Sequence, residues 1–271
     1  MTDPSSSAHR YGGHHDQVAD LLVPAGQPPP AGWPTVVLIH GGFWRERYRR
    51  DLTAPLARDL AAHGLAAWNI EFRRVEGDGG WPATFEDVGA AIDHLAGPEL
   101  PVDSARIAVV GHSAGGHLAL WAAGRSVLPG SAPGAAPVVV PRAVVGLAPV
   151  ADLLECHRSG LSEGAARQLV GGDPEEVPQR WEVADPMCAL GHGVPILLVH
   201  GLDDADVPVE FSRAYAAAAA EVGDAVELVT PAADHMSLID PAAASWATAR
   251  HRLLEVLDAP ADGGSGPATV T

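Results

Sequence analysis

The chain has 271 residues, enough for one large α/β domain or two small ones, and 47% of them are hydrophobic, ample for a buried core. Its formal net charge is −17, from 34 Asp and Glu against 17 basic residues, all of them Arg, a field that repels phosphate backbones and argues against a nucleic-acid partner. No run approaches the ~18 apolar residues of a membrane span, and the opening MTDPSSSAHRYGGHH lacks the apolar centre of a signal peptide, so a cytoplasmic protein that does not cross a membrane is expected.

Residues 1–10 read as a disordered tail, and residues 258–271 (DAPADGGSGPATVT) as a second one, around a single domain over 11–257. Within it, short apolar runs predict strands at 17–23, 35–39, 66–72, 106–110, 143–147, 196–200 and 226–230. Most are apolar throughout rather than alternating, as strands covered on both faces must be. Helical patterns fall at 52–62, 84–95, 114–123, 210–222 and 242–257. Thr84 and Asp87 have the spacing of a capping box, and Pro241 suits a first helical turn. Residues 124–138 are loop-like. Strand–helix alternation with short connections predicts an α/β fold with a mostly parallel, doubly wound sheet. Residues 151–192 interrupt the alternation and read as a small cap inserted over the top of the sheet. Cys156 and Cys188 are too few for a disulfide framework and are expected as reduced thiols.

Four segments carry chemistry, and each follows a strand. Gly111-His112-Ser113-Ala114-Gly115 joins the run 106–110 to the helix 114–123. A nucleophile elbow strains its central residue and crowds its neighbours, so the flanking glycines are required. His40-Gly41-Gly42-Phe43-Trp44 follows the strand 35–39; with Gly41 making the turn, the amides of Gly42, Phe43 and Ala114 are assigned to an oxyanion hole. The segment 199–208 offers three carboxylates, Asp203, Asp204 and Asp206. The acid must return over the sheet edge, which favours the early pair over Asp206, the residue before Val207-Pro208. His235 stands on the loop after the last strand and before the terminal helix, where the base belongs. The order Ser…Asp…His is that of the α/β hydrolases. The adjacent His14 and His15 are not expected to converge on one metal ion.

In HGGFW at 40–44, GHSAGGHLAL at 111–120, HGLDDADVP at 200–208 and ADHMSLIDP at 233–241, the chain resembles α/β hydrolases of the kynurenine formamidase (arylformamidase) and small esterase group. Residues 69–74 (NIEFRR) and 81–88 (WPATFEDV) share the likeness, which spans roughly residues 11–257. The resemblance implies the α/β-hydrolase fold and selects Asp204, through the pattern G-x-x-D-x-x-V at Gly201, Asp204 and Val207. It implies a Ser113–His235–Asp204 triad that cleaves a small ester or aryl formamide through an acyl-enzyme. That chemistry calls for no metal or other cofactor. The aromatic pair after HGG tilts the reading toward formamidases. Phe43, Trp44 and Trp81, with His112 and the insertion 151–192, are expected to form a compact pocket. A prolyl-oligopeptidase-like peptidase and a non-catalytic binding protein on the same scaffold are the alternatives. The expected partner is the small-molecule substrate, and the choice between monomer and homodimer stays open.

Overall fold

The computed structural model describes residues 5–258. Its strands are β1 (Ser5–Arg10), β2 (Val18–Val23), β3 (Trp33–Ile39), β4 (Ala66–Ile70), β5 (Val102–His112), β6 (Ala143–Leu147), β7 (Ile196–Val199) and β8 (Val226–Val229). The last seven are the expected strands, β6 with the expected ends and the other six with shifted ones. β1 occupies most of the segment expected to be a tail. Its SSSAHR sequence has no apolar pattern and its side chains are mostly exposed. Backbone pairing alone makes it a strand: it runs antiparallel along the whole of β2, from Ser5 beside Val23 to Arg10 beside Val18. Residues 259–271 of the second expected tail lie outside the described residues.

The sheet order is β1-β2-β4-β3-β5-β6-β7-β8. β1, β2 and β4 pair antiparallel, and every pair from β4 to β8 is parallel. The chain passes from β3 outward to β4, then returns to lay β5 on the other side of β3. That reversal opens a crevice beyond the C-terminal ends of β3 and β5, the place where open α/β sheets hold ligands.

The expected helices form within two residues of their predicted ends: α1 (Ala54–Ala62), α2 (Ala83–Asp93), α3 (Ala114–Ala123), α7 (Glu210–Val222) and α8 (Ala244–Asp258). Successive strand residues serve opposite faces. Val37 and Ile39 of β3, Val109 of β5 and Leu198 of β7 pack with Phe85 of α2, Trp121 of α3 and Tyr215 of α7. Their neighbours Val36, Leu38, Val110 and Val199 pack with Leu60 of α1 and Trp246 of α8. Two covered faces explain the unbroken apolar runs, each buried side chain contributing about 1.5–3 kcal/mol. Among the described residues no helix is long and apolar enough to cross a membrane.

Two local expectations fail. Thr84 does not cap α2: its hydroxyl donates to Arg73 O at 2.6 Å and accepts from the Gly80 amide at 2.9 Å. Asp87 is instead buried against Arg73, 2.6 Å from its guanidinium. A buried carboxylate needs a countercharge more than a helix end needs a reciprocal cap. Pro241 lies in a turn ahead of α8 rather than in its first helical turn.

Between β6 and β7 the expected insertion contains α4 (Leu153–Arg158), α5 (Ala165–Val170) and α6 (Pro178–Ala184). It is fastened to α3 through His117 Nε2, which donates to Ala184 O at 2.8 Å, and Trp121 Nε1, which donates to Val183 O at 3.1 Å. Leu169 O accepts from the Trp81 amide at 2.8 Å.

Candidate active site

Register builds the site before any side chain is considered. Ile39 of β3 pairs with Gly111 of β5, so Gly41 and Ser113, two residues on, stand abreast. A Cβ on Gly41 would lie 3.0 Å from Ser113 Cβ and 2.9 Å from His112 O, so only glycine lets this loop press against the serine. Ser113 itself is held at φ 56° and ψ −118°, a strained backbone costing on the order of 1–3 kcal/mol. The elbow needs both of its glycines. A Cβ on Gly111 would meet Gly115 O at 2.0 Å, and one on Gly115 would meet Ile39 O at 2.2 Å.

Three successive residues of the loop after β3 adopt left-handed angles: Gly42 at φ 108°, Phe43 at 49° and Trp44 at 57°. Among the described residues, no group accepts a hydrogen bond from the amides of Gly42, Phe43 or Ala114. The first N–H groups of a helix have no intrahelical partner, and here that of Ala114 and those of Gly42 and Phe43 flank one serine.

The acid and histidine loops are zipped side by side. Val199 of β7 pairs with Val229 of β8, and the pairing continues as Leu202 N donates to Pro231 O at 2.9 Å and Asp203 N to Ala233 O at 3.1 Å. Gly201 permits this: a Cβ there would sit 2.1 Å from Ala233 O. Asp204 Oδ2 accepts from His235 Nδ1 at 2.6 Å, and Oδ1 accepts from the amides of Asp206 and Val207, each at 2.9 Å. Burial alone would raise this carboxyl, but hydrogen bonds from His200, His235 and the Val207 amide outweigh it and hold Asp204 far below the usual carboxylate range. Asp203 and Asp206 are both exposed; the loop position argued against Asp206 alone and left Asp203 beside Asp204 as a candidate.

Two further histidines support this pair. His112 Nε2 donates to His235 O at 3.0 Å. Burial, then the neighbouring His235, pushes His112 down to about 3, so it is neutral at ordinary pH. His200 donates through Nε2 to Val207 O at 2.9 Å and meets Ser212 Oγ through Nδ1 at 2.7 Å, bracing the acid loop. Nothing in sequence distinguished His200 from the other histidines except its place at a strand end.

The family model described as BD-FAE matches residues 19–218. The chain belongs to the BD-FAE family. No curated protein matches it. Among solved structures, a truncated carbohydrate esterase from gut microbiota is similar, with a TM-score of 0.80 and 21% identity over 95% of this chain and 98% of that one. An inhibited esterase B from Lactobacillus rhamnosis has a TM-score of 0.80 and 23% identity, over 95% and 87% of the two chains. An acetyl ester-xyloside bifunctional hydrolase from Caldicellulosiruptor lactoaceticus has a TM-score of 0.73 and 24% identity, over 93% and 97%. The fold is that of the α/β hydrolases.

In this BD-FAE family member an open cleft of about 480 Å³ is lined by Gly42, Phe43, Tyr48, Leu52, His112, Ser113, Asp206, His235 and Met236. The expected pocket is corrected in three places. Trp44, 1% exposed, turns inward to pack on His117, its left-handed backbone swinging the ring away from the cleft. Trp81 packs on Phe85 and is also absent from the lining. No residue of 151–192 reaches the cleft, because the insertion lies over α3. Tyr48, Leu52 and Met236 take those places, and the sequence marked none of them. Asp206 stands at the mouth, its carboxylate within 4.8 Å of ligand atoms of Asp204 and His235.

His14 and His15 do come together, contrary to expectation, and with Asp16 present ligand atoms within 4.8 Å of one another. The His14 ring is already engaged, accepting from the Asp16 amide at 3.2 Å and donating to Asp78 at 3.0 Å, and Asp16 faces Arg74 at 3.3 Å. Cys156 is buried and Cys188 exposed, both as free thiols.

Proposed function

We propose that this protein is an esterase-type serine hydrolase that cleaves small carboxylic esters, with Ser113 as nucleophile, His235 as base and Asp204 as its orienting acid. The single observation that carries the reading is the 2.6 Å bond from His235 Nδ1 to Asp204, made in the same cleft as a serine on a strained elbow. That bond assigns the proton to Nδ1 and leaves Nε2 as an acceptor. Ser113 Oγ attacks the acyl carbon and its proton passes to Nε2. The carbonyl oxygen becomes an oxyanion held by the amides of Gly42, Phe43 and Ala114, each such donor contributing roughly 3–4 kcal/mol. Collapse breaks the ester C–O bond, and His235 gives its proton to the departing alkoxide. Water, deprotonated by His235, then releases the acid and regenerates Ser113.

Esters are favoured over aryl formamides. Of the aromatic pair that tilted the sequence toward formamidases, only Phe43 lines the cleft. The similar folds named above include a carbohydrate esterase and an acetyl ester hydrolase. The substrate class we propose is accordingly a short-chain ester, acetyl to butyryl, of a hydroxyl-bearing alcohol such as a sugar. The test compares kcat/KM for an acetylated xylose, p-nitrophenyl acetate and butyrate, and N-formylkynurenine. The reading expects the esters to be turned over at least about tenfold faster than the formamide, a difference of only ~1.4 kcal/mol in barrier. The reverse order would restore the formamidase assignment.

A further inference from the structure

The segment Asn69-Ile70-Glu71 holds no reacting group, yet its side chains bind both ends of the loop that carries Gly42 and Phe43. Ile70 of β4 pairs with Ile39 of β3, so the next residues, Glu71 and His40, stand abreast. The Glu71 side chain is 1% exposed. Its Oε1 accepts from His40 Nε2 at 2.9 Å, and its Oε2 accepts from the Arg50 amide at 3.2 Å. Asn69, two residues earlier on the same face of the strand, donates to Arg50 O at 2.9 Å and accepts from Thr53 Oγ1 at 2.7 Å. One strand end therefore holds residue 40 and residue 50 together.

The second link is the peptide between Gly41 and Gly42. His40 Nδ1 lies 2.8 Å from Gly41 O, an acceptor, and binds it when both ring nitrogens carry protons, since Nε2 already donates to Glu71. A trans peptide is planar, so fixing that carbonyl fixes the opposite direction of the Gly42 N–H. Gly42, at φ 108°, has no side chain to limit this rotation. The fully buried Arg74 bonds the same Glu71 oxygen, Oε1, and also meets Asp16 at 3.3 Å and Glu46 at 3.0 Å, which keeps the carboxylate in place. We propose that Glu71 is a positioning residue for the oxyanion hole, acting through His40 on the Gly41–Gly42 peptide and directly on Arg50. The proposal rests on the serine-hydrolase reading.

The test uses the full chain and two readouts: the second-order rate of Ser113 labelling by a fluorophosphonate probe, and kcat and KM for p-nitrophenyl acetate. Glu71→Gln keeps the size and removes the charge. Labelling and kcat should both fall about 10- to 100-fold, the scale of a misplaced oxyanion donor, with KM within about threefold. His40→Gln retains a donor toward Glu71 and should be at least about tenfold faster than His40→Leu. The double variant Glu71→Gln/His40→Leu should be no slower than the slower single variant within about threefold, since both break one clamp. A folded Glu71→Gln with labelling and kcat within twofold of wild type overturns the proposal, as do additive losses in the double variant. Should Glu71→Gln fail to fold, equal rates for His40→Gln and His40→Leu overturn it alone. A wild-type protein that the probe does not label sinks the hydrolase reading itself, an outcome distinct from a normal Glu71→Gln.

Discussion

Replacing Asp204 by asparagine should cripple turnover while leaving the loop in place, and the hydrogen bonds say why. Asp204 Oδ1 accepts from two amides at 2.9 Å, and Oδ2 from His235 Nδ1 at 2.6 Å. An asparagine in the same rotamer satisfies the two amides with its carbonyl oxygen. Its NH2 group then faces His235 Nδ1 and can only donate. The imidazole must present a lone pair at Nδ1, which puts its proton on Nε2, where it should be receiving the proton of Ser113. Wrong-tautomer variants of this kind lose about 10³–10⁴ in kcat, or roughly 4–5.5 kcal/mol of transition-state stabilisation. Steady-state kinetics on p-nitrophenyl acetate for Asp203→Asn, Asp204→Asn and Asp206→Asn provide the assay, with melting temperatures as a control on folding. The exposed Asp203 and Asp206 should stay within about tenfold of wild type on this neutral ester, since a solvated carboxylate carries little energy. A collapse at Asp206 with Asp204→Asn near wild type would refute the reasoning.

Gly115→Ala should lower the melting temperature sharply, because its Cβ would stand 2.2 Å from Ile39 O, a backbone atom that cannot swing aside; a variant as stable as wild type would contradict the elbow packing. His112, pushed down to about 3 in the fold, binds protons less readily than in the unfolded chain, so its contribution to stability is complete above about pH 6.5 and is lost as pH falls from there toward 3. Melting temperatures across that window should therefore fall less steeply for His112→Gln than for wild type, and parallel curves would show that His112 is not held neutral. The Asp206 carboxylate at the cleft mouth should favour cationic over anionic alcohols: Asp206→Asn should narrow the ratio of kcat/KM for acetylcholine to that for acetylsalicylate by about fivefold at low salt, and less at high salt. An unchanged ratio would remove Asp206 from substrate selection.

The fold and the candidate site residues were legible because each is tied to a strand end. The unbroken apolar runs of β3, β5, β6 and β7 announce two covered faces; Ser113 follows β5 and Asp204 follows β7, while His235 follows β8, a half-exposed strand interrupted by Glu227. What failed depends on partners that a local pattern does not display. β1 is a strand only because β2 offers it an edge, and SSSAHR carries no periodicity of its own. Trp44 and Trp81 look like pocket aromatics in a linear reading, but the left-handed backbone at Trp44 turns its ring into the core, and Trp81, half-buried, packs on Phe85 away from the cleft. The Thr84 and Asp87 spacing mimics a cap until Arg73 arrives from elsewhere in the chain to claim Asp87. Glu71 is similar: its neighbours His40 and Arg50 are 31 and 21 positions away, and only the β3–β4 register brings them together.

The central claim is that Ser113 becomes acylated during turnover. Rapid acid quench of the protein mixed with excess p-nitrophenyl acetate, followed by mass spectrometry of its proteolytic peptides, reads this directly. The account predicts a single acetyl group on Ser113 that accumulates within the first turnovers and decays as substrate is exhausted. It also predicts that Ser113→Ala, still folded, carries no acetyl group and turns over substrate at least about 10⁴-fold more slowly. Acetylation of another residue on the catalytic timescale, or near-normal turnover by Ser113→Ala, would contradict it.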